Sequence, residues 1–201
     1  MGNFEYIISS LPFLTTDYKY AEGQGFSQVM QEIRENLSEK DASALDFLLR
    51  GFQASELTPE FYTQALEHPQ PFIREYFRFD LNLRNAKVRY LNQALGRPLE
   101  TDVVTLTEEE VEFEEKTAVE TALALGDLLS REKELDEIAW AKIGALETFH
   151  YFDLTAVLAY VAKLHIVDRW LILDEAKGRE LFKQLVSEVR GTFKGVEYTE
   201  K

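Results

Sequence analysis

Glu147 and His150 stand three residues apart as Glu-x-x-His, the spacing that sets a carboxylate and an imidazole on one helix face in di-iron bundles. Such a site takes two of these pairs and two further Glu residues from facing helices. The other two histidines complete no such set. His68 directly follows Glu67 before a proline, and His165 has Val161 and Ala162 where the upstream carboxylate belongs. The bland reading of all three is a helix-end or core histidine, with no metal and no cofactor held. A helical metal-binding enzyme around Glu147 and His150 is the alternative.

Arg78, Asn82, Asn85 and Arg89 form a second constellation. At about 100° per residue they fall at roughly 0°, 40°, 340° and 20° around a helix axis, one narrow stripe about three turns long. Two guanidiniums offer fixed donor forks that match carboxylates. The stretch from Arg74 to Arg97 carries six cations (Arg74, Arg78, Arg84, Lys87, Arg89, Arg97) against two anions (Glu75, Asp80), a local +4 in a chain of net charge -14. Either the stripe is a polar seam against the chain's own acids, or it contacts an acidic partner.

Other reactive arrangements are missing from the sequence. There is no Gly-x-Ser-x-Gly elbow, phosphate loop, Gly-x-Gly-x-x-Gly fingerprint or His-Glu-x-x-His. Glu22-Gly23-Gln24-Gly25 is a lone Gly-x-Gly in a loop. The acids between Glu108 and Glu115 form a solvated run, and general acid-base work needs burial or a specific neighbour to move a pKa. Without cysteine the chain has no thiolate nucleophile, disulfide or cysteine metal site. Trp140, Trp170, Tyr76, Phe77, Phe79, Tyr151 and Phe152 are assigned to the core rather than to a ligand cage. No catalytic residue is expected, and the chain is read as a non-enzyme.

Composition agrees. Hydrophobic residues make up 45% and charged residues 29% of 201, which excludes wholesale disorder. A pI near 4.7 with no long basic tract disfavours nucleic acid, whose phosphates need neutralising. No stretch reaches the roughly 18 uninterrupted apolar residues of a spanning helix. The start, MGNFEYIISSLPFL, has no cationic leader or cleavage pattern and is read as mature chain. The absence of cysteine fits the cytoplasm.

The elements that must hold these residues are helices, and the expected fold is an all-α multi-helix bundle. Residues 4–14 are taken as a short N-terminal extended segment, and 15–25 as a loop. Helical spacing then runs from Phe26 to Leu37; Ser38 caps a helix stopping at Gly51, and Thr58 with Pro59 starts another. A long helix spans about 72–95, with one core-facing stripe at 72, 76, 79, 83, 86, 90 and 94, ended by Gly96 and Pro98. Residues 98–115 hold eight acids and no base and read as a solvent-exposed connection, with Thr107 and Glu110 as a capping box for a helix near 108. Helices are expected next at about 117–129 and 132–148, then from Asp153 and from Asp174 to about 191. The chain reads as a single helical domain, 1–201, with sub-lobes 1–97 and 116–201 joined through 98–115 as the other division.

The segments EYIISSLPFL, FRFDLNLRNAKVRYLNQALGR and EIAWAKIGALETFHYFDLTAVLAYVAKLHIVDRW together resemble a family of short bacterial proteins similar to the C subunit of V-type ATP synthases, called the d subunit in eukaryotic complexes, and encoded beside other subunits of such an enzyme. The C subunit is longer and built from three related helical units, whereas this chain has room for about two. The resemblance implies a non-catalytic helical adaptor between the rotating central stalk and the membrane ring of a proton- or sodium-driven rotary ATPase. Its partners would be the other V-type ATPase subunits, and it would lie in the cytoplasm, peripheral to the membrane through that complex. On this reading Arg78, Asn82, Asn85 and Arg89 are the candidate partner contact. A homo-oligomeric helical scaffold is a further alternative.

Overall fold

The computed structural model describes residues 3–16, 18–21, 25–106 and 113–172, and among them the chain is all α, with eight α-helices, one 3-10 turn and no strand. They are α1 (Phe4–Ser10), α2 (Phe26–Glu35), α3 (Glu39–Arg50), α4 (Pro59–Leu66), α5 (Pro71–Ala94), α6 (Lys116–Leu123), α7 (Leu128–Glu147) and α8 (Leu154–Ile172). The anticipated capping box at Thr107 and the helix from Asp174 lie outside the described residues.

Local chemistry explains most boundaries. Ser38, Thr58, Asp127 and Asp153 each accept a backbone N–H from the residue three positions on, which satisfies donors a helix start leaves without partners. Pro59 and Pro71 occupy first helical positions, where no N–H is needed. At the end of α5, Gly96 is left-handed (φ +65°). The Gly96 N–H donates to the Gln93 carbonyl and the Arg97 N–H to that of Asn92, the paired closure that a C-terminal glycine permits.

Two expectations fail on boundaries. The N-terminal segment is not extended: residues 4–10 are helical, because the Asn3 side chain accepts from the Tyr6 N–H and the single face carrying Phe4, Ile7 and Ile8 packs on the core. Extended backbone begins only at Leu11 (ψ 139°), whose successor Pro12 disfavours helix there. The helix expected over 117–129 stops at Leu123, and Leu128 and Leu129 belong to α7, since Asp127 caps the N-terminus of that next helix.

Two hydrophobic clusters fill the interior. The larger draws on α1–α4, the first half of α5, Ile143 of α7, and α8. Nine residues of α8 around its whole circumference are buried, as expected of a helix apolar on every side. The smaller cluster holds Val119, Ala122, Leu123 and Leu135, with Leu83, Ala86, Tyr90, Phe113 and Ile138 packed on it. Helix α5 serves both, and so its single stripe is a correction. Ile73, Phe77 and Leu81 are buried on one side, Leu83, Ala86 and Tyr90 half-buried on the other, and Ala94 is exposed. A rod between two cores presents two faces. The larger cluster takes residues from both sides of the acidic stretch.

Gly51 shows how tightly the α3–α4 corner is packed. A Cβ there would stand 2.1 Å from Phe77 Cζ and 2.8 Å from Phe61 Cζ. Phe61 packs edge-on to Phe77 at 5.0 Å and stacks on Phe47 at 5.1 Å, a geometry favoured by ring quadrupoles.

Candidate functional site

The four residues of the α5 stripe divide into two pairs. Asn85, buried, grips the backbone of one residue at both its polar groups: its Nδ2 donates to the Val104 carbonyl (2.9 Å) and its Oδ1 accepts from the Val104 N–H (3.0 Å). Arg89 makes a two-pronged bond to Glu100, with Nε and Nη2 each 2.9 Å from a carboxylate oxygen. That bond, together with the charge of Arg89, holds the Glu100 carboxyl below its usual range. Both residues therefore fasten residues 98–106 onto α5.

Asn92, one heptad beyond Asn85, completes the fastening by donating to the Leu99 carbonyl (3.1 Å) and the Thr101 carbonyl (2.7 Å). Sequence reasoning missed it. The signal was present, because a seven-residue step returns a helix to nearly the same face. Residues 98–106 are largely exposed, as expected of a connection, yet they are pinned to α5, with half-buried Val104 and Leu106 packed on the larger cluster. Asn85 and Asn92 satisfy carbonyls and an N–H that a strandless segment leaves over, and Arg89 holds its Glu100 side chain.

Arg78 and Asn82 line a cleft of about 290 Å³ with Glu75, Phe79, Phe113, Glu114, Glu115 and Lys142. Arg78 Nη1 donates to both oxygens of Glu75, at 2.8 and 2.6 Å. Lys142 Nζ lies 2.8 Å from Glu115 and 3.5 Å from Glu114. Burial works against its charge, but bonding and attraction to these acids hold its pKa above the ordinary lysine value. The cations of the cleft are neutralised locally, and what it offers chemically is polar, charge-paired contact surface.

Glu147 and His150 are not brought to one helix face. Glu147 is the last residue of α7 and pairs with Lys163 of α8. His150 lies past the helix end, with Nδ1 2.6 Å from Asp153 Oδ2. Among the described residues no group of three His, Cys, Asp or Glu stands close enough to hold a metal ion. His68 and His165 are half-buried against aromatic rings: His165 stacks on Phe52 at 4.0 Å with the rings parallel, and His68 lies 4.9 Å from Phe47. Burial lowers both pKa values, helped by Arg169 near His165 and by Arg74 near His68.

Polar clamps tie the long helices together. Trp170 Nε1 donates to Asp136 at 2.7 Å, Arg169 pairs with the same carboxylate, and Lys87 of α5 reaches Glu132 of α7 at 3.4 Å. Tyr62 of α4 donates to Asp80 of α5 at 2.6 Å, beside Arg84 at 2.7 Å.

The assignment of Tyr151 and Phe152 to the core is overturned: they expose 69% and 55% of their surface, and neighbouring Phe149 exposes 85%. Phe149 has φ +71°, and this left-handed residue turns the chain outward between α7 and α8. Tyr76, Phe77, Phe79, Trp140 and Trp170 are buried or half-buried. No described helix is long and apolar enough to cross a membrane.

No curated protein matches the chain, and no solved structure matches it. A family model does match, over residues 52–192, which takes in α4–α8, the pinned segment, the cleft and the outward turn. With well over half its length matched, the chain belongs to the family described as "Protein of unknown function (DUF2764)".

Proposed function

We propose that this protein is a non-catalytic component of a V-type rotary ATPase, similar to its C subunit and coupling the central stalk to the membrane ring from the cytoplasmic side. The observation that carries the reading is the way α5 is built in. A 24-residue helix, about 36 Å long at 1.5 Å per residue, runs through both hydrophobic clusters. It is clamped to α4 and α7 by Asp80 and Lys87 and to residues 98–106 by Asn85, Arg89 and Asn92. A part that transmits torque must deform little, and a close-packed helical interior meets that need.

The resemblance of the three segments around α1, α5 and α7–α8 to the family of the V-type C subunit supplies the partners. The pairing of charges in the cleft and along the stripe suits a contact surface, since paired, complementary groups give specificity to protein contacts. Arg78 and Asn82, on the open side of α5, are the part of the stripe placed to meet a partner.

The test is purification of the tagged, full-length chain from native membranes under conditions that preserve the rotary complex. Stalk and ring subunits should accompany it in fixed proportion. Recovery of the tagged chain without rotary subunits, from membranes in which the rotary complex is shown to be intact, refutes the proposal.

A further inference from the structure

Three aromatic rings, Phe149, Tyr151 and Phe152, stand exposed in one four-residue turn, with exposed His150 among them. A left-handed φ is unfavourable for a bulky residue, and strain of this kind persists where the surroundings impose it. Here the surroundings are visible. The Thr148 hydroxyl donates to the Gly144 carbonyl (3.0 Å), the His150 N–H donates to the Glu147 carbonyl (2.8 Å), His150 Nδ1 meets Asp153, and Asp153 caps α8. Glu147, at the base of the turn, is tied to Lys163. The rings are thus held outward by an anchored turn. Aromatic side chains ordered before binding lose little entropy on contact and dominate the energetics of protein interfaces.

We propose that residues 148–152 form a docking knob that enters an apolar socket, rimmed by lysine or arginine, on another protein. Charge selects this occupant. From Ile143 to Ala162 the chain has no Lys or Arg, and the acids flanking the rings, Glu147 and Asp153, are paired with Lys163 and His150, so the turn itself is compensated and the chain's net charge decides. Aromatic membrane anchors work beside free cations that engage anionic lipid; the lysine at the base of this turn, Lys163, is already engaged by Glu147, and a chain of net charge -14 is repelled by such a surface. A second copy brings the same acids and the same net charge, which opposes self-association through this turn. A socket with a basic rim is attracted by the chain's net charge. The inference does not depend on the coupling role, because it stands on the turn whatever the identity of the partner.

The test places a photo-crosslinking benzoylphenylalanine at position 152 of the full-length chain in producing cells, with the same group at exposed Leu128, at the far end of α7, as control. The expected product is one heterologous protein, absent from the control. Its crosslinked peptide should be apolar with neighbouring Lys or Arg, and the yield should fall at least fivefold in Phe149→Gly and on raising salt. Glycine suits the left-handed backbone, so the variant should melt no lower than the parent and the loss is not one of folding. Four results overturn the proposal: no product above control, a product with a second copy of the chain, an acidic or polar crosslinked peptide, or sedimentation of the protein with phosphatidylglycerol–phosphatidylcholine vesicles that is lost in Phe149→Gly.

Discussion

Replacing Asn85 by alanine tests the fastening of residues 98–106 at its centre. The side chain makes two hydrogen bonds to the backbone of a single residue, at 2.9 and 3.0 Å, and each contributes about 1 kcal/mol net. Truncation also strands the Val104 N–H and carbonyl, at about 1–3 kcal/mol for a buried group. Val104 is only half-buried, so water recovers part of that loss and the sum comes to about 2–4 kcal/mol. For a chain of this size about 1 kcal/mol moves Tm by roughly 2–4 °C, which places the variant roughly 5–15 °C below the parent. Asn85→Asp keeps the acceptor but turns a charged oxygen onto the Val104 carbonyl, and it should lose at least as much as alanine. Urea unfolding gives the energies, and amide hydrogen exchange at Val104 gives the local answer: slow in the parent, fast in the variant. A loss below about 0.5 kcal/mol, or Val104 exchange equally fast in both proteins, refutes the claim that Asn85 holds this segment.

Three more perturbations have defined outcomes. Gly51→Ala forces a methyl against Phe77 and Phe61 within an aromatic cluster and should destabilise by about 1–3 kcal/mol, read from denaturant midpoints. Phe149→Gly relieves a left-handed phenylalanine and should be neutral or stabilising by up to about 1 kcal/mol; a clear loss of stability contradicts the strain. Because burial lowers the folded-state pKa of His68 and His165 from the ordinary 6.5, the unfolded chain binds the extra protons. Stability is therefore complete above pH 6.5 and falls as pH drops below it. Unfolding energies measured between pH 7 and pH 5 should show that slope, and the double variant His68→Gln, His165→Gln should flatten it.

Capping residues were the most legible part of the fold. Ser38, Thr58 and Asp153, with Gly96 before Pro98, mark helix ends through side-chain chemistry that acts within four residues, and the structure uses all of them. What failed depends on longer range. Helix α1 has seven residues, too few for periodicity to separate helix from strand. The break at Gly126–Asp127 was hidden because Leu128 and Leu129 continue an apolar run, although both are exposed in the fold. The two faces of α5 follow from its lying between two clusters, and no property of its own residues announces the second. Of the stripe, the alignment of Arg78, Asn82, Asn85 and Arg89 was legible from helical geometry, but their division between a cleft and the 98–106 segment was not. The outward turn of Tyr151 and Phe152 rests on one backbone angle, at Phe149, that its residue type argues against.

The central claim is coupling without chemistry, and it is measured most directly on a V-type complex prepared from cells lacking this chain. The account predicts that such a complex hydrolyses ATP yet builds little or no ion gradient in membrane vesicles, and that adding back the purified protein restores the gradient. Full ion pumping in its absence contradicts the account.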